Sequence, residues 1–110
     1  MTGSRPRPKP TPAIRVLLVD DHPAVRRGLA LLLEEEGISV CGETSDSAEA
    51  RKSVARSRPD IALVDLSLGG EDGLSLISEL QAIGLPCLAY SMHEDAHHVE
   101  GAFKAGARGY

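Results

Sequence analysis

The sequence predicts an α/β domain: a doubly wound parallel sheet with helices on both faces. Three observations carry that prediction. Short apolar runs recur along the chain, at Ile14–Val19, Ile38–Gly42, Ile61–Asp65 and Cys87–Tyr90. Between them lie segments with apolar residues at helical spacing, so strand and helix alternate, the pattern of a parallel sheet joined by crossover helices. Two of the runs end on carboxylates, Asp20-Asp21 and Asp65, and open α/β sheets bind ligands beyond the C-terminal ends of their strands.

The elements follow in order. Residues 1–13 carry Pro6, Pro8, Pro10 and Pro12 among Arg5, Arg7 and Lys9, with no apolar periodicity, and read as a flexible basic arm. The first strand runs from Ile14 to Val19. His22-Pro23 then starts a helix, since proline suits a first helical position. Val25, Leu29, Leu32 and Leu33 form its inner face, Arg26, Arg27, Glu34 and Glu35 its outer one, and Gly37 closes it. After the second strand, Asp46 and Glu49 resemble a capping box opening a helix to about Ser57, with Ala48, Val54 and Ala55 as its weak apolar face. Pro59 ends it and leads into the central strand. A loop over 67–72 precedes a helix from Gly73 to about Ile83 that turns Leu74, Ile77 and Leu80 inward. Gly84 and Pro86 stop it before the fourth strand, and a last helix is expected over about 95–104.

Composition sets the bounds. A chain of 110 residues with 42% hydrophobic content supports one packed core, and 3% aromatics leaves that core to Leu, Val, Ile and Ala. No apolar run approaches a membrane span, and the N-terminus lacks a signal peptide's apolar centre, so a cytoplasmic protein with no membrane partner is expected. Cys41 and Cys87 fit buried thiols. Residues 14–110 carry a net −7 once the arm's three cations are taken out of the total of −4, a poor balance for binding nucleic acid directly.

Asp20, Asp21 and Asp65 hold the chemistry. A lone aspartate at a strand end is more often a turn or cap residue. Three at adjacent tips repel one another unless a cation neutralises them, and hard oxygen donors suit Mg²⁺. His22, His93, His97 and His98 read instead as surface histidines; His97 and His98 are neighbours and point apart on a helix.

Together, Val19-Asp20-Asp21-His22-Pro23, Asp65, Ser91 and Ala105-Gly106-Ala107-Arg108-Gly109-Tyr110 resemble the receiver domain of bacterial two-component response regulators, in particular the subgroup with a C-terminal helix-turn-helix output domain. The resemblance covers residues 14–110. It implies a flavodoxin-like sheet of strand order 2-1-3-4-5, and a switch rather than an enzyme acting on other substrates. It further implies that Asp65 accepts a phosphoryl group from a sensor histidine kinase. Asp20, Asp21, Asp65 and the backbone carbonyl of Ser67 would hold Mg²⁺, Ser91 would hydrogen-bond the phosphoryl group, and Tyr110 would respond by changing rotamer. DNA would be met only through an output domain outside this chain, with homodimerisation following phosphorylation. Two departures stand out: Gly69 replaces the family's proline four residues after the phosphoacceptor, and the family's fifth-strand lysine would fall just past Tyr110. The layout is therefore expected to be truncated before the fifth strand and last helix. A pseudo-receiver that binds partners without phosphorylation is the alternative, disfavoured because Asp20, Asp21, Asp65 and Ser91 are all present.

Overall fold

A computed structural model describes residues 13–68 and 71–91. Strands β1 (Arg15–Val19), β2 (Ser39–Thr44), β3 (Ile61–Asp65) and β6 (Cys87–Tyr90) pair in parallel in the order β2-β1-β3-β6. That is the order expected for the first four strands of the layout. Helices α1 (Pro23–Glu35), α2 (Ser47–Ser57) and α3 (Gly73–Ala82) provide the crossovers.

Buried apolar side chains fix this sheet in place. Leu17, Val19, Ala62, Val64, Cys87 and Ala89 pack on one face against Ala50 of α2 and Leu76, Ile77 and Leu80 of α3. Val16 and Leu18 pack on the other face against Ala30 of α1, with Leu29 and Leu33 partly buried beside them. Each fully buried Leu, Val or Ile contributes about 1.5–3 kcal/mol. The alternation along β1 thus divides one strand between two cores.

Helix termini follow local chemistry. His22 is the N-cap residue of α1, with Pro23 at its first turn and no side-chain cap bond. Gly37 turns the chain after α1 at φ +81°, a left-handed conformation that glycine adopts without strain. The Asp46 carboxylate accepts from Glu49 N–H, while Glu49 reaches back to the N–H and hydroxyl of Ser45, one residue earlier than a capping box requires.

Several expectations needed correction. Leu32 is 60% exposed and Leu31 54% exposed, so α1 is seated through Leu29, Ala30 and Leu33 instead. Arg26 does not face solvent freely but turns back to the end of β1. On α2 the buried positions are Ser47, Ala50 and Ser53, and Ala48 and Ala55 are exposed; small residues let α2 approach β2 closely, a signal that hydrophobic periodicity does not register. On α3 Leu76 is fully buried and Leu74 only partly so. Part of the 67–72 loop forms a short antiparallel ribbon, β4 (Ser67–Leu68) with β5 (Glu71–Asp72). Cys41 and Cys87 are free thiols on β2 and β6, separated by β1 and β3; Cys87 is buried as expected, but Cys41 is only partly so. The helix expected over 95–104, His93, His97, His98, Gly69 and Tyr110 lie outside the described residues.

Gly73 opens α3 directly behind the central strand. A Cβ there would lie 2.6 Å from the Asp65 carbonyl oxygen and 2.9 Å from Leu66 Cα, both backbone atoms. Gly73→Ala is therefore expected to destabilise the domain by about 1–3 kcal/mol in urea titration, the scale of overpacking. Gly28→Ala, in α1 with nothing within 4 Å of the added carbon, should instead stabilise by about 0.5–1 kcal/mol. Equal effects at the two positions would contradict this packing.

Candidate functional site

The register of β1 against β3 builds the site. Val19 pairs with Val64, so the residues that follow, Asp20 and Asp65, emerge side by side at the same end of the sheet. Their backbones are anchored: Asp20 N–H donates to Thr44 O at 2.9 Å, and Leu66 N–H donates to Tyr90 O at 2.9 Å. Asp20 is 0% exposed and Asp65 1% exposed, buried by the apolar strands that carry them.

Each buried carboxylate has donors. Asp20 Oδ1 accepts from His22 N–H at 2.8 Å and lies 2.8 Å from His22 Nδ1. Its other oxygen, Oδ2, accepts from the Tyr90 hydroxyl at 2.6 Å. Asp65 Oδ1 accepts from Ser67 N–H at 2.9 Å. His22 Nδ1 also lies 3.0 Å from Asp21 Oδ1 and 3.3 Å from Asp65 Oδ2, so one imidazole nitrogen faces three carboxylates. The Asp21 contact lacks hydrogen-bond geometry, and Asp21 Oδ1 is a buried oxygen without a hydrogen bond. One donor atom from each of Asp20, Asp21, His22 and Asp65 falls within 4.8 Å of the others. Beneath them Arg26 donates through Nη1 to the Asp20 carbonyl at 2.8 Å, and Arg26 and Arg27 both pair with Glu43.

The electrostatics separate the two buried acids. Burial works to raise the Asp20 carboxyl, but the Tyr90 hydroxyl and the His22 N–H and ring together outweigh it and hold Asp20 below the ordinary value of 3.8. Asp65 moves the other way: burial raises it, the Ser67 N–H opposes, and the neighbouring Asp20 adds to the rise. The hydrogen bond to Asp20, with the charges of Asp21, Asp20 and Asp65, lifts His22 above its ordinary 6.5 despite some desolvation. Tyr90 is pushed strongly upward by burial and by its bond to Asp20, so its hydroxyl stays a donor.

Of the residues singled out in the sequence, Asp20, Asp21 and Asp65 do converge. Ser67 sits beside Asp65, contributing its N–H. Ser91 follows Tyr90 at the same end of the sheet and is half-buried. Tyr110 lies outside the described residues. Sequence reading missed Tyr90 and Arg26; it read His22 as a surface histidine, and the side chain is 49% exposed, but its Nδ1 is turned onto the acids. A signal for His22 was available: it directly follows the acidic pair and precedes Pro23, which confines it to the helix start.

The family model for the response regulator receiver domain matches residues 16–110. This chain belongs to that family. It is 38% identical over 100 residues to the DNA-binding transcriptional activator DevR/DosR of Mycobacterium tuberculosis, covering 88% of this chain and 46% of that protein. A LuxR-family two-component response regulator from an Aurantimonas species is 35% identical with a TM-score of 0.83, covering 90% of this chain and 73% of that one. A response regulator from Burkholderia pseudomallei, solved with a phosphorylated aspartic acid, a calcium ion and citrate, is 30% identical with a TM-score of 0.79, covering 87% of this chain and 57% of that one. The chain spans about half the length of the curated relatives it matches. Among the described residues no helix is long and apolar enough to cross a membrane.

Removing the Tyr90 hydroxyl isolates its bond to a buried charge. Tyr90→Phe is expected to cost about 1.5–3 kcal/mol near pH 7. Because a depressed carboxyl contributes stability that is lost as pH falls through its folded value, the variant should also begin its acid unfolding at higher pH. Urea titrations from pH 7 to pH 3 check both, and an unchanged acid limb would contradict the assignment.

His22 has the opposite sign. Its folded value is raised, so its stabilising contribution is complete below 6.5 and lost as pH rises through the folded value. In metal-free buffer, His22→Gln should therefore destabilise the domain at pH 6 and have a smaller effect at pH 9. An effect that grows with pH would contradict the pairing.

Proposed function

We propose that this chain is the phosphoacceptor module of a two-component signalling switch, with Asp65 receiving the phosphoryl group. One observation carries the reading: Asp65 is buried at the tip of the central strand with an oxygen within 4.8 Å of donor atoms from Asp20 and Asp21. A carboxylate attacking an anionic phosphoryl donor needs a counter-charge. The donor set fits Mg²⁺: three carboxylates supply hard oxygens, and the buried Asp21 Oδ1 lacks a hydrogen bond. Asp20, Asp21 and Asp65 would hold the ion, with the backbone carbonyl of Ser67 as a further ligand. Bound there, Mg²⁺ would offset the charge of the acids and of the transferring group.

The chain's own residues would do the rest. The carboxylate of Asp65 forms a bond to phosphorus as the donor's P–N or P–O bond breaks, and the leaving group departs with the electron pair. Ser67 N–H holds the spectator oxygen of Asp65 and so orients the attacking one. Ser91 donates its hydroxyl to a phosphoryl oxygen, a charge-assisted contact worth about 1.5–3 kcal/mol. The phosphoryl group adds roughly −1.5 to −2 of charge, and a response at Tyr110 would carry that change outward. That the Burkholderia relative was solved with a phosphorylated aspartic acid and a calcium ion supports this reading. The physiological donor is a sensor histidine kinase in the cytoplasm. The transcription-regulator relatives favour a DNA-binding output domain, and dimerisation on phosphorylation belongs to the same proposal. On this reading the chain catalyses only its own phosphorylation and dephosphorylation.

Intact mass after incubation with acetyl phosphate and millimolar Mg²⁺ tests the proposal. The unmodified chain should gain one phosphoryl group, Asp65→Asn none, and Asp21→Ala should react at least about tenfold more slowly. Equal labelling of Asp65→Asn would sink the proposal.

A further inference from the structure

We infer that His22 Nδ1 is a fourth donor of the cation site, so that the site takes divalent transition ions through a mixed oxygen–nitrogen set as well as Mg²⁺ through oxygen. The inference rests on the proposed reading that these acids take a divalent cation, and it adds which cations and through which atom.

Position is the first argument. His22 Nδ1 stands 2.8 Å from Asp20 Oδ1, 3.0 Å from Asp21 Oδ1 and 3.3 Å from Asp65 Oδ2. Donors about 2.0–2.2 Å from one ion lie at most about 4.0–4.4 Å apart, so the 4.8 Å cluster has less than about 1 Å to close. Anchorage is the second. The backbone N–H of His22 is held by Asp20 Oδ1 at 2.8 Å, and Pro23 restricts the chain immediately after it. The nitrogen is therefore presented to the acids by backbone geometry, and not by a long mobile side chain.

Chemistry supplies the preference. Mg²⁺ gains little from an imidazole because it favours oxygen and sheds water reluctantly. Imidazole suits Ni²⁺ and Zn²⁺, whose affinities exceed that of Mn²⁺ at most nitrogen–oxygen sites. A ring serving only as a counter-cation that metals displace has the opposite consequence. Its removal would strengthen every cation alike.

Calorimetric titration of the 110-residue chain at pH 8 with Ni²⁺, and separately with Mg²⁺, distinguishes the two. His22→Gln should weaken Ni²⁺ binding by at least about tenfold, the scale on which lost support lowers metal affinity, while Mg²⁺ binding changes less than about threefold. Asp65→Asn should remove the same Ni²⁺ site, which separates it from histidines elsewhere in the chain. Pulsed electron paramagnetic resonance of the Mn²⁺-loaded unmodified chain should show coupling to an imidazole nitrogen, a reading that does not depend on how well a variant folds. Absence of that coupling, or Ni²⁺ and Mg²⁺ affinities that stay the same or rise together in His22→Gln, overturns the inference and leaves the proposed function standing. Failure of the unmodified chain to bind Mg²⁺ at all overturns both.

Discussion

The structure depends on holding like charges together against their repulsion. Asp20 and Asp65 are set side by side because Val19 and Val64 are paired neighbours in the sheet, and they are buried because those strands are apolar on both faces. Two carboxylates removed from water and placed next to one another would ordinarily take up a proton or separate. Neither can separate without unpairing β1 from β3, which would expose Leu17, Leu18, Ala62 and Val64. The core supplies the force that keeps the acids in place.

What makes the arrangement tolerable is an unequal division of donors. Asp20 receives the Tyr90 hydroxyl, the His22 N–H and the His22 ring, and its carboxyl is held low. Asp65 receives the Ser67 N–H alone among the hydrogen bonds described above, and its carboxyl is raised. The same burial thus leaves the two carboxyls displaced in opposite directions. Tyr90 also ties this division to the sheet's far strand: it bonds Asp20 through its hydroxyl and Leu66 through its carbonyl. Ser91 directly follows it at the same end of the sheet.

Much of this was legible in the sequence, for a physical reason. Strands buried on both faces must be apolar throughout, and a carboxylate ending such a run has no packing role to disguise it; Asp65 after Ile61–Val64 and Asp20 after Ile14–Val19 stand out on that account. The strand order followed from the resemblance to receiver domains and agrees with the sheet. Less legible was anything that depends on contacts between distant segments. Tyr90 reads as an ordinary strand aromatic, and only the crossing of β6 beside β3 brings its hydroxyl to a residue seventy positions earlier. Arg26 reads as a solvated helix charge, yet it closes on the carbonyl of Asp20. The seating of α2 through Ser47, Ala50 and Ser53 was invisible to hydrophobic periodicity because close approach there selects for smallness.

The central claim is that the acids are held under repulsion that a cation relieves. Thermal unfolding of the unmodified chain and of Asp65→Asn, each over a range of Mg²⁺ concentrations, tests it most directly. The substitution removes one charge while leaving an oxygen to accept from Ser67 N–H. Without Mg²⁺ the variant should melt at a higher temperature than the unmodified chain. Added Mg²⁺ should raise the melting temperature of the unmodified chain, by preferential binding to the folded state, and leave the variant nearly unchanged. A variant that melts lower in metal-free buffer, with both proteins indifferent to Mg²⁺, would contradict the claim.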